Sequence, residues 1–294
     1  RFYDTAPWYG HGLSEHRIGG LLRQQNPEEF ICSTKVGRVY SRFRGKAKDF
    51  YGPPWAGGLP FTLRFDYTYD GIFRSYEDSL MRLGLNRVDV LIIHDIDHNY
   101  HRTESHINQR FRELESGWRA LDELKRTGEI QAFGAGINRE ALIPRFLEEC
   151  PLDFFLVAHP YTLLDQGVLD TIFPKCERLG VGVVVGAPYA SGILATGAVQ
   201  GAKYRYSEAT PDVMAKVQLI ERLCRDHQIP LKAAALQFPL GHPLVASIIP
   251  GAFRPEQVME NRKLFEHPIE SSFWDACKTA NLIRMDAPVP PNDF

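Results

Sequence analysis

A chain of 294 residues, 44% hydrophobic and 24% charged, can bury a sizeable core and fits one large α/β barrel or two ordinary domains. A formal net charge of -2 with dispersed Lys and Arg gives no electrostatic case for a nucleic-acid partner, and no apolar run approaches the roughly 20 residues of a membrane helix. The five cysteines have neither zinc spacing nor a disulfide framework, so the expected setting is a reducing cytoplasm.

In chain order, strand-like and helix-like runs alternate almost throughout. Phe2 to Asp4 reads as the end of a buried strand and 5–12 as a loop. Ser14 reads as an N-cap, with Glu15 an acid in the first helical turn. A strand over 29–34 (EFICST) ends at Lys35. Residues 37–71, rich in Gly, Pro and aromatics, read as an irregular insert too long for a simple connection. A helix is expected over 72–83. Residues 87–93 (RVDVLII) read as a strand ending at His94, and their lack of alternation suits a parallel strand covered on both faces. A polar loop over 95–108 leads to a helix over 111–127, stopped by Gly128. Strands follow at 130–134, 154–158, 181–185 and 245–249. Helices follow at 139–149, 169–179, 211–227, 231–240, 255–265 and 270–284.

Such an alternation with short connections predicts a parallel sheet wrapped by helices, and the absence of a linker predicts one domain over residues 1–294. The expected strands number seven, where a closed (β/α)8 barrel has eight, so the simplest repair is a βα unit upstream of Arg1. An open doubly wound sheet would need a Gly-rich phosphate turn after an early strand, and none is present. The expected fold class is therefore a (β/α)8 barrel lacking its first βα unit.

Three successive strands end in useful chemistry: Asp4 with Tyr9 just beyond it, then Lys35, then His94. Neighbouring strands of a barrel would bring these side chains to one mouth. Proton transfer at a substrate oxygen is the chemistry they suggest. A phenol with a pKa of about 10 is a poor base at neutral pH, and a nearby ammonium lowers that value. Asp4 would hold Lys35 charged and oriented, and His94 would donate to the substrate oxygen. Each residue alone has a plainer reading: a packing aromatic, a solvated strand end, a core histidine. A rival constellation lies in HDIDHNYH, where His94, Asp95, Asp97, His98 and His101 offer metal-ligand types. These groups sit on one loop, whereas barrel metal sites draw ligands from several strand ends, so no metal is expected.

FYDTAPWYGHGLSE, STKVG, LIIHD and IIPGAFRPEQVMEN stand in the order of aldo-keto reductase motifs, and the chain resembles that family over essentially its whole length. The resemblance implies a (β/α)8 barrel, a nicotinamide cofactor and direct hydride transfer. It places Asp4, Tyr9, Lys35 and His94 on the family's tetrad, with Tyr9 as acid/base. Asn138 matches the asparagine that clamps the nicotinamide amide, while Ala158 stands at the partner glutamine position and leaves the clamp incomplete. Gly186 stands where an aromatic commonly stacks on the ring, and Tyr189 is the substitute nearby. Pro188, Ser191, Gly192, Ile249, Pro250 and Ala252 fall in the implied cofactor loops, and Glu260 and Asn261 match residues that read the adenine end. Gly251 and Gln257 replace the Lys and Arg that hold the 2′-phosphate of NADP, which predicts NAD over NADP.

Within the family the chain resembles a branch of bacterial and plant dehydrogenases acting on D-threo-aldoses, L-fucose and L-galactose, with pyridoxal 4-dehydrogenase nearby. FDYTYDGIFRSYEDSLMRLGL, HPYTLLDQ and APYASGIL carry that likeness. It implies oxidation of a cyclic hemiacetal to a lactone, with Tyr9 as general base. Trp8, Trp55 and His94 are the expected substrate contacts, and Asp97, His98 and His101 could bond sugar hydroxyls. An NADP-dependent carbonyl reductase is the alternative within the family, beside the pyridoxal enzyme. A cofactor-binding channel partner is the alternative outside catalysis, against which the full tetrad speaks. The implied partner is a small sugar or aldehyde, with no nucleic acid and no membrane.

Overall fold

The computed structural model describes residues 1–138 and 140–291. The chain divides into two compact units, one of residues 1–137 with 150–153, the other of 138–149 with the chain from 154 on.

The first unit carries four parallel strands: β1 (Phe2–Asp4), β2 (Ile31–Val36), β5 (Val90–His94) and β6 (Ala132–Ile137), hydrogen-bonded in that order. The helices α1 (Leu13–Leu22), α2 (Tyr69–Leu83) and α3 (Glu104–Arg126) accompany them. All five residues of β5 are buried, as its uninterrupted apolar run requires. Thr68 caps α2 by accepting from Gly71 N at 3.2 Å, and Gly84 ends it in the left-handed region. Thr103 caps α3, which therefore begins at Glu104 and not at 111. Its buried residues Ile107, Phe111, Leu114, Leu121 and Leu124 recur at helical spacing.

Two local expectations change here. Gly12, with φ 94°, is the N-cap of α1, and the Ser14 hydroxyl instead lies 2.8 Å from that of Thr5. Glu15 turns inward, accepting from Thr34 Oγ1 at 2.7 Å and from Arg82 Nε at 2.5 Å. The insert is not irregular throughout. It contains an antiparallel hairpin, β3 (Arg38–Arg42) paired with β4 (Phe61–Phe65), in a register that sets Arg38 opposite Phe65. The sixth strand lies at 132–137, later than expected, because Ile130 N still bonds to Leu124 O at the end of α3.

The second unit carries β7 (Phe154–Ala158), β8 (Gly182–Gly186) and β11 (Val245–Ile249), also parallel and in that order. Between them lie α4 (Ile143–Glu149), α5 (Phe173–Leu179), α6 (Ile193–Thr196), the two-residue strands β9 (Lys203–Tyr204) and β10 (Ser207–Glu208), α7 (Pro211–Asp226) and α8 (Leu231–Gln237). Helices α9 (Pro255–Phe265) and α10 (Ser271–Thr279) follow. The helix expected over 139–149 begins at Arg139, which lies outside the described residues. The described part is a 3-10 turn followed by α4. Helix 231–240 breaks at Gln237 into a 3-10 turn holding Pro239, whose ring cannot continue an α-helix. The strand-helix alternation is that of a (β/α)8 barrel, with seven parallel strands among the described residues.

Candidate active site

Strand register sets the first unit's chemistry. Asp4 pairs with Ser33 across β1 and β2, and Lys35 pairs with Ile92 across β2 and β5. Asp4 Oδ2 accepts from Lys35 Nζ at 2.6 Å, and Asp4 Oδ1 accepts from Ser33 Oγ at 2.6 Å. The backbone oxygen of Thr5 takes a second Lys35 hydrogen bond at 2.9 Å. Lys35 Nζ lies 4.8 Å from the centroid of the Tyr9 ring, and the His94 ring meets Tyr9 edge-on with centroids 5.8 Å apart. The four residues expected at three strand ends are therefore brought together.

Their protonation follows from burial and from one another. Burial of the Lys35 ammonium works against its charge, and Asp4 and Tyr9 outweigh it, so its pKa stands above the usual value. Burial raises the Tyr9 phenol, Lys35 opposes that rise, and Asp4 and Asp95 add to it. The net direction is upward, which corrects the expectation that the nearby ammonium brings the phenol below its usual value: loss of hydration is the larger effect. Burial, with the Arg38 and Lys35 cations close by, holds His94 well below the usual histidine range and hence neutral.

The insert folds onto the loop that carries Tyr9. Tyr40 Oη donates to Pro7 O, Leu59 N donates to Gly10 O at 3.1 Å, and His11 Nδ1 lies 3.1 Å from Phe61 O. Trp55 thereby comes to 5.4 Å from the Tyr9 ring and 6.3 Å from Trp8, centroid to centroid. Its buried Nε1 has no hydrogen-bond partner. Trp8 and Trp55 thus stand beside Tyr9. The polar residues of the His94 loop are placed otherwise. His101 is buried, 3.3 Å from Tyr67 Oη and edge-on to Phe65 with ring centroids 4.4 Å apart. Asp97 is buried and accepts from Asn99 N, while His98 lies 2.6 Å from Glu104. These contacts tie His101 to the segment 65–67 and the rest of the loop to itself. Among the described residues no group of three or more His, Cys, Asp or Glu is placed to hold a metal.

Sequence reasoning missed Arg38 and Tyr100. The Arg38 guanidinium is buried, bonded to Asp95 Oδ2 at 2.6 Å, and lies 4.4 Å from Tyr100, 4.8 Å from Trp8 and 4.9 Å from Phe65, ring centroids. The available signal was its place just after STKVG, where Gly37 turns the chain with φ 94°.

In the second unit the expected cofactor residues gather around three loops. Residues 187–192 hold four left-handed positions: Ala187, Ala190, Ser191 and Gly192. Ala187 N donates to Ile249 O at 3.3 Å, tying this loop to the end of β11 beside Pro250, Gly251 and Ala252. Tyr189 Oη donates to Asn261 Oδ1 at 2.6 Å, which fixes the ring to α9. Gln257 Oε1 accepts from Phe253 N and Arg254 N, and Glu260 pairs with Lys232 at 2.7 Å. A Cβ added to Gly192 or Gly251 would meet nothing within 4 Å, so the space beside each of these two residues is open. Asn138 stands just beyond β6, and Pro188 is buried in the 187–192 loop.

Comparison with known proteins accords with this geometry. Residues 1–282 match the model of the aldo/keto reductase family. The chain is 39% identical over 292 residues to pyridoxal 4-dehydrogenase of Microbacterium luteolum, covering 96% of this chain and 84% of that one. It is 34% identical over 286 residues to D-threo-aldose 1-dehydrogenase of a Pseudomonas species, with the same coverage. A solved aldo-keto reductase from Bacillus halodurans, in its holo form, superposes with a TM-score of 0.71 at 24% identity, over 98% of this chain and 84% of that one.

Proposed function

The chain belongs to the aldo/keto reductase family, and on that premise we propose that it is a dehydrogenase taking hydride from C1 of a cyclic aldose of the L-fucose, L-galactose or D-arabinose type to NAD, giving the aldonolactone. The observation that carries this reading is the buried chain Asp4–Lys35–Tyr9 with neutral His94 edge-on to the phenol. The whole chain is read as one catalytic domain. No helix of the described residues is long and apolar enough to cross a membrane.

The residues of the second unit fit a dinucleotide: open space over Gly192 and Gly251, amide-bearing loops at 187–192 and 250–254, and the side chains of Asn138, Ser191 and Asn261. When bound, the nicotinamide supplies the hydride acceptor. The protein's part is the proton and the pose. Tyr9 takes the proton of the C1 hydroxyl as the C1–H bond breaks and the C1–O double bond forms. Lys35 stabilises the phenolate, and Asp4 with the Thr5 carbonyl keeps the ammonium aimed. His94 bonds the substrate oxygen. Trp8 and Trp55 present apolar faces to the sugar ring and exclude water.

NAD is favoured because Gln257 spends its side-chain oxygen on two backbone amides and Gly251 brings no side chain, so a 2′-phosphate lacks their charge. Arg254 is a cation of the same loop, which makes NADP the direct comparison. A second reading, pyridoxal oxidation, is favoured by the 39% identity and by the aromatic rim of Trp8, Trp55 and Tyr100. Pyridoxal carries a hydroxymethyl group beside its aldehyde and closes to a hemiacetal, so the same proton and hydride steps apply.

Purified protein screened with NAD and NADP against L-fucose, L-galactose, D-arabinose and pyridoxal tests the reading. Turnover of a sugar with NAD is expected. Activity with NADP alone overturns the cofactor assignment, and no turnover of any sugar overturns the substrate. Tyr9→Phe should lower kcat by about 10³-fold or more while NAD binding stays near normal. Retention of most of the activity would remove Tyr9 from the acid/base role.

A further inference from the structure

One oxygen in the first unit serves two neighbours. Asp95 Oδ2 lies 2.6 Å from Arg38 Nη2 and 3.1 Å from His94 Nε2, with all three side chains nine-tenths or more buried. Asp95 follows β5 directly, in the left-handed region at φ 55°, with its amide bonded to Gly136 O at 3.0 Å. That backbone conformation disfavours most non-glycine residues, and Asp is among those that tolerate it best. Arg38 is pinned as firmly. Gly37 turns the chain where an added Cβ would meet the Tyr67 ring at 2.2 Å, and the guanidinium lies between Trp8, Phe65 and Tyr100.

A buried ion pair is no bargain for stability, since desolvation consumes much of what attraction returns. A buried carboxylate beside an imidazole has a further effect: left to itself it favours the imidazolium. Here the guanidinium takes up that carboxylate. The groups facing His94 are Asp95 and Arg38 from the loop and hairpin, Lys35 from β2, and Tyr9 from the β1–α1 loop. Two of these are cations and one is an anion, and the anion is paired.

We propose that Arg38 and Asp95 are positioning residues for His94: the carboxylate holds the imidazole in place, and the guanidinium spends the carboxylate's charge so that the imidazole stays neutral. This rests on the placement of His94 at the substrate oxygen. A neutral imidazole whose one N–H faces Asp95 keeps an accepting Nδ1, which has no partner among the described residues, and adds no fixed positive charge beside the phenolate. Burial and the Arg38 cation hold His94 low in the same direction. The arrangement also joins the insert to the tetrad, because Arg38 is the first residue of β3 and Trp8, against which it stacks, precedes Tyr9.

The test reads His94 itself and needs no substrate. Imidazole proton signals are followed by NMR across pH in the full-length protein, with His94 assigned by loss of its signal in His94→Gln. In Arg38→Met the midpoint of His94 should rise by about one unit or more, a tenfold or greater gain in imidazolium at a given pH. Asp95→Asn added to Arg38→Met should return it toward the wild-type midpoint. Arg38→Lys, which keeps the charge, should move it far less than methionine does. Should Arg38→Met fail to fold, Arg38→Gln removes the same charge while keeping an amide donor for Asp95, and the same rise is expected. In activity, kcat of the charge-loss variant should fall as pH drops through the raised His94 midpoint, at a higher pH than in the wild type, and recover above it, with KM changing less. A folded charge-loss variant whose His94 midpoint is unmoved overturns the proposal, as does a rise that is just as large when Asp95 is also replaced. Neither outcome touches the choice of sugar or cofactor, which the turnover screen decides separately.

Discussion

Tyr9 stands between burial, which raises its pKa, and the Lys35 ammonium, which lowers it. Oxidation uses the phenolate, so the rate should climb with pH until Tyr9 has lost its proton. Replacing Lys35 by Met removes the opposing cation and leaves Asp4, which itself pushes the phenol upward. The ascending limb of kcat/KM should then move up by about one unit or more, and the rate at neutral pH should fall by about 10²-fold or more. A pH-rate profile for Lys35→Met that keeps the wild-type midpoint would show that Lys35 does not act on Tyr9. The four residues of this cluster were legible because each closes a strand or follows one, and barrel topology gathers strand ends. Arg38 was not. An arginine is ordinarily solvated, and nothing local to RVYSR tells that Trp8, Phe65 and Tyr100 will surround it. Those three come from three separate segments that meet only in the folded unit.

Close helix contacts in the first unit depend on absent side chains. A Cβ on Gly19 of α1 would lie 1.9 Å from Leu83 O at the end of α2, a backbone atom that cannot step aside cheaply. Gly20, next in sequence, has only the flexible Arg23 tip at 3.9 Å. Gly19→Ala should therefore destabilise by about 3 kcal/mol, whereas Gly20→Ala should stabilise by up to about 1 kcal/mol through helix propensity. Denaturant midpoints of the two variants measure the contrast. Equal effects would mean that the helices do not meet at Gly19. The same contact region holds the buried Glu15–Arg82 pair, which the sequence disguised as an ordinary first-turn acid. Parallel strands were read well because burial on both faces writes itself as unbroken Val, Leu and Ile. The β3–β4 hairpin was missed because its strands are joined by a long segment rich in Gly and Pro, without the tight turn that announces a hairpin. Helix caps were misread where backbone geometry decides them: Gly12 displaces Ser14 because its left-handed φ starts α1 without a side-chain bond.

At the scale of the whole molecule, cofactor choice becomes a question of stability. A ligand that binds only the folded state stabilises it by about 2.7 kcal/mol at a hundredfold excess over its Kd. For a chain of this length that corresponds to a rise in Tm of about 5 °C. NAD should raise the Tm of the Tyr9→Phe protein by this order, because the substitution removes turnover and leaves the cofactor loops intact. NADP at the same concentration should raise it less, since the 250–257 loop supplies neither a lysine at Gly251 nor an arginine at Gln257. The difference is reversible by design. A Cβ at 251 meets no atom within 4 Å, so Gly251→Lys adds a cation whose first carbon enters open space. It should improve NADP binding about tenfold, one charge-assisted contact's worth, and leave NAD binding nearly unchanged. Equal Tm shifts with NAD and NADP in the Gly251 protein, unaltered by the lysine, would place the discriminating contacts elsewhere and return Arg254 to the centre of the cofactor question.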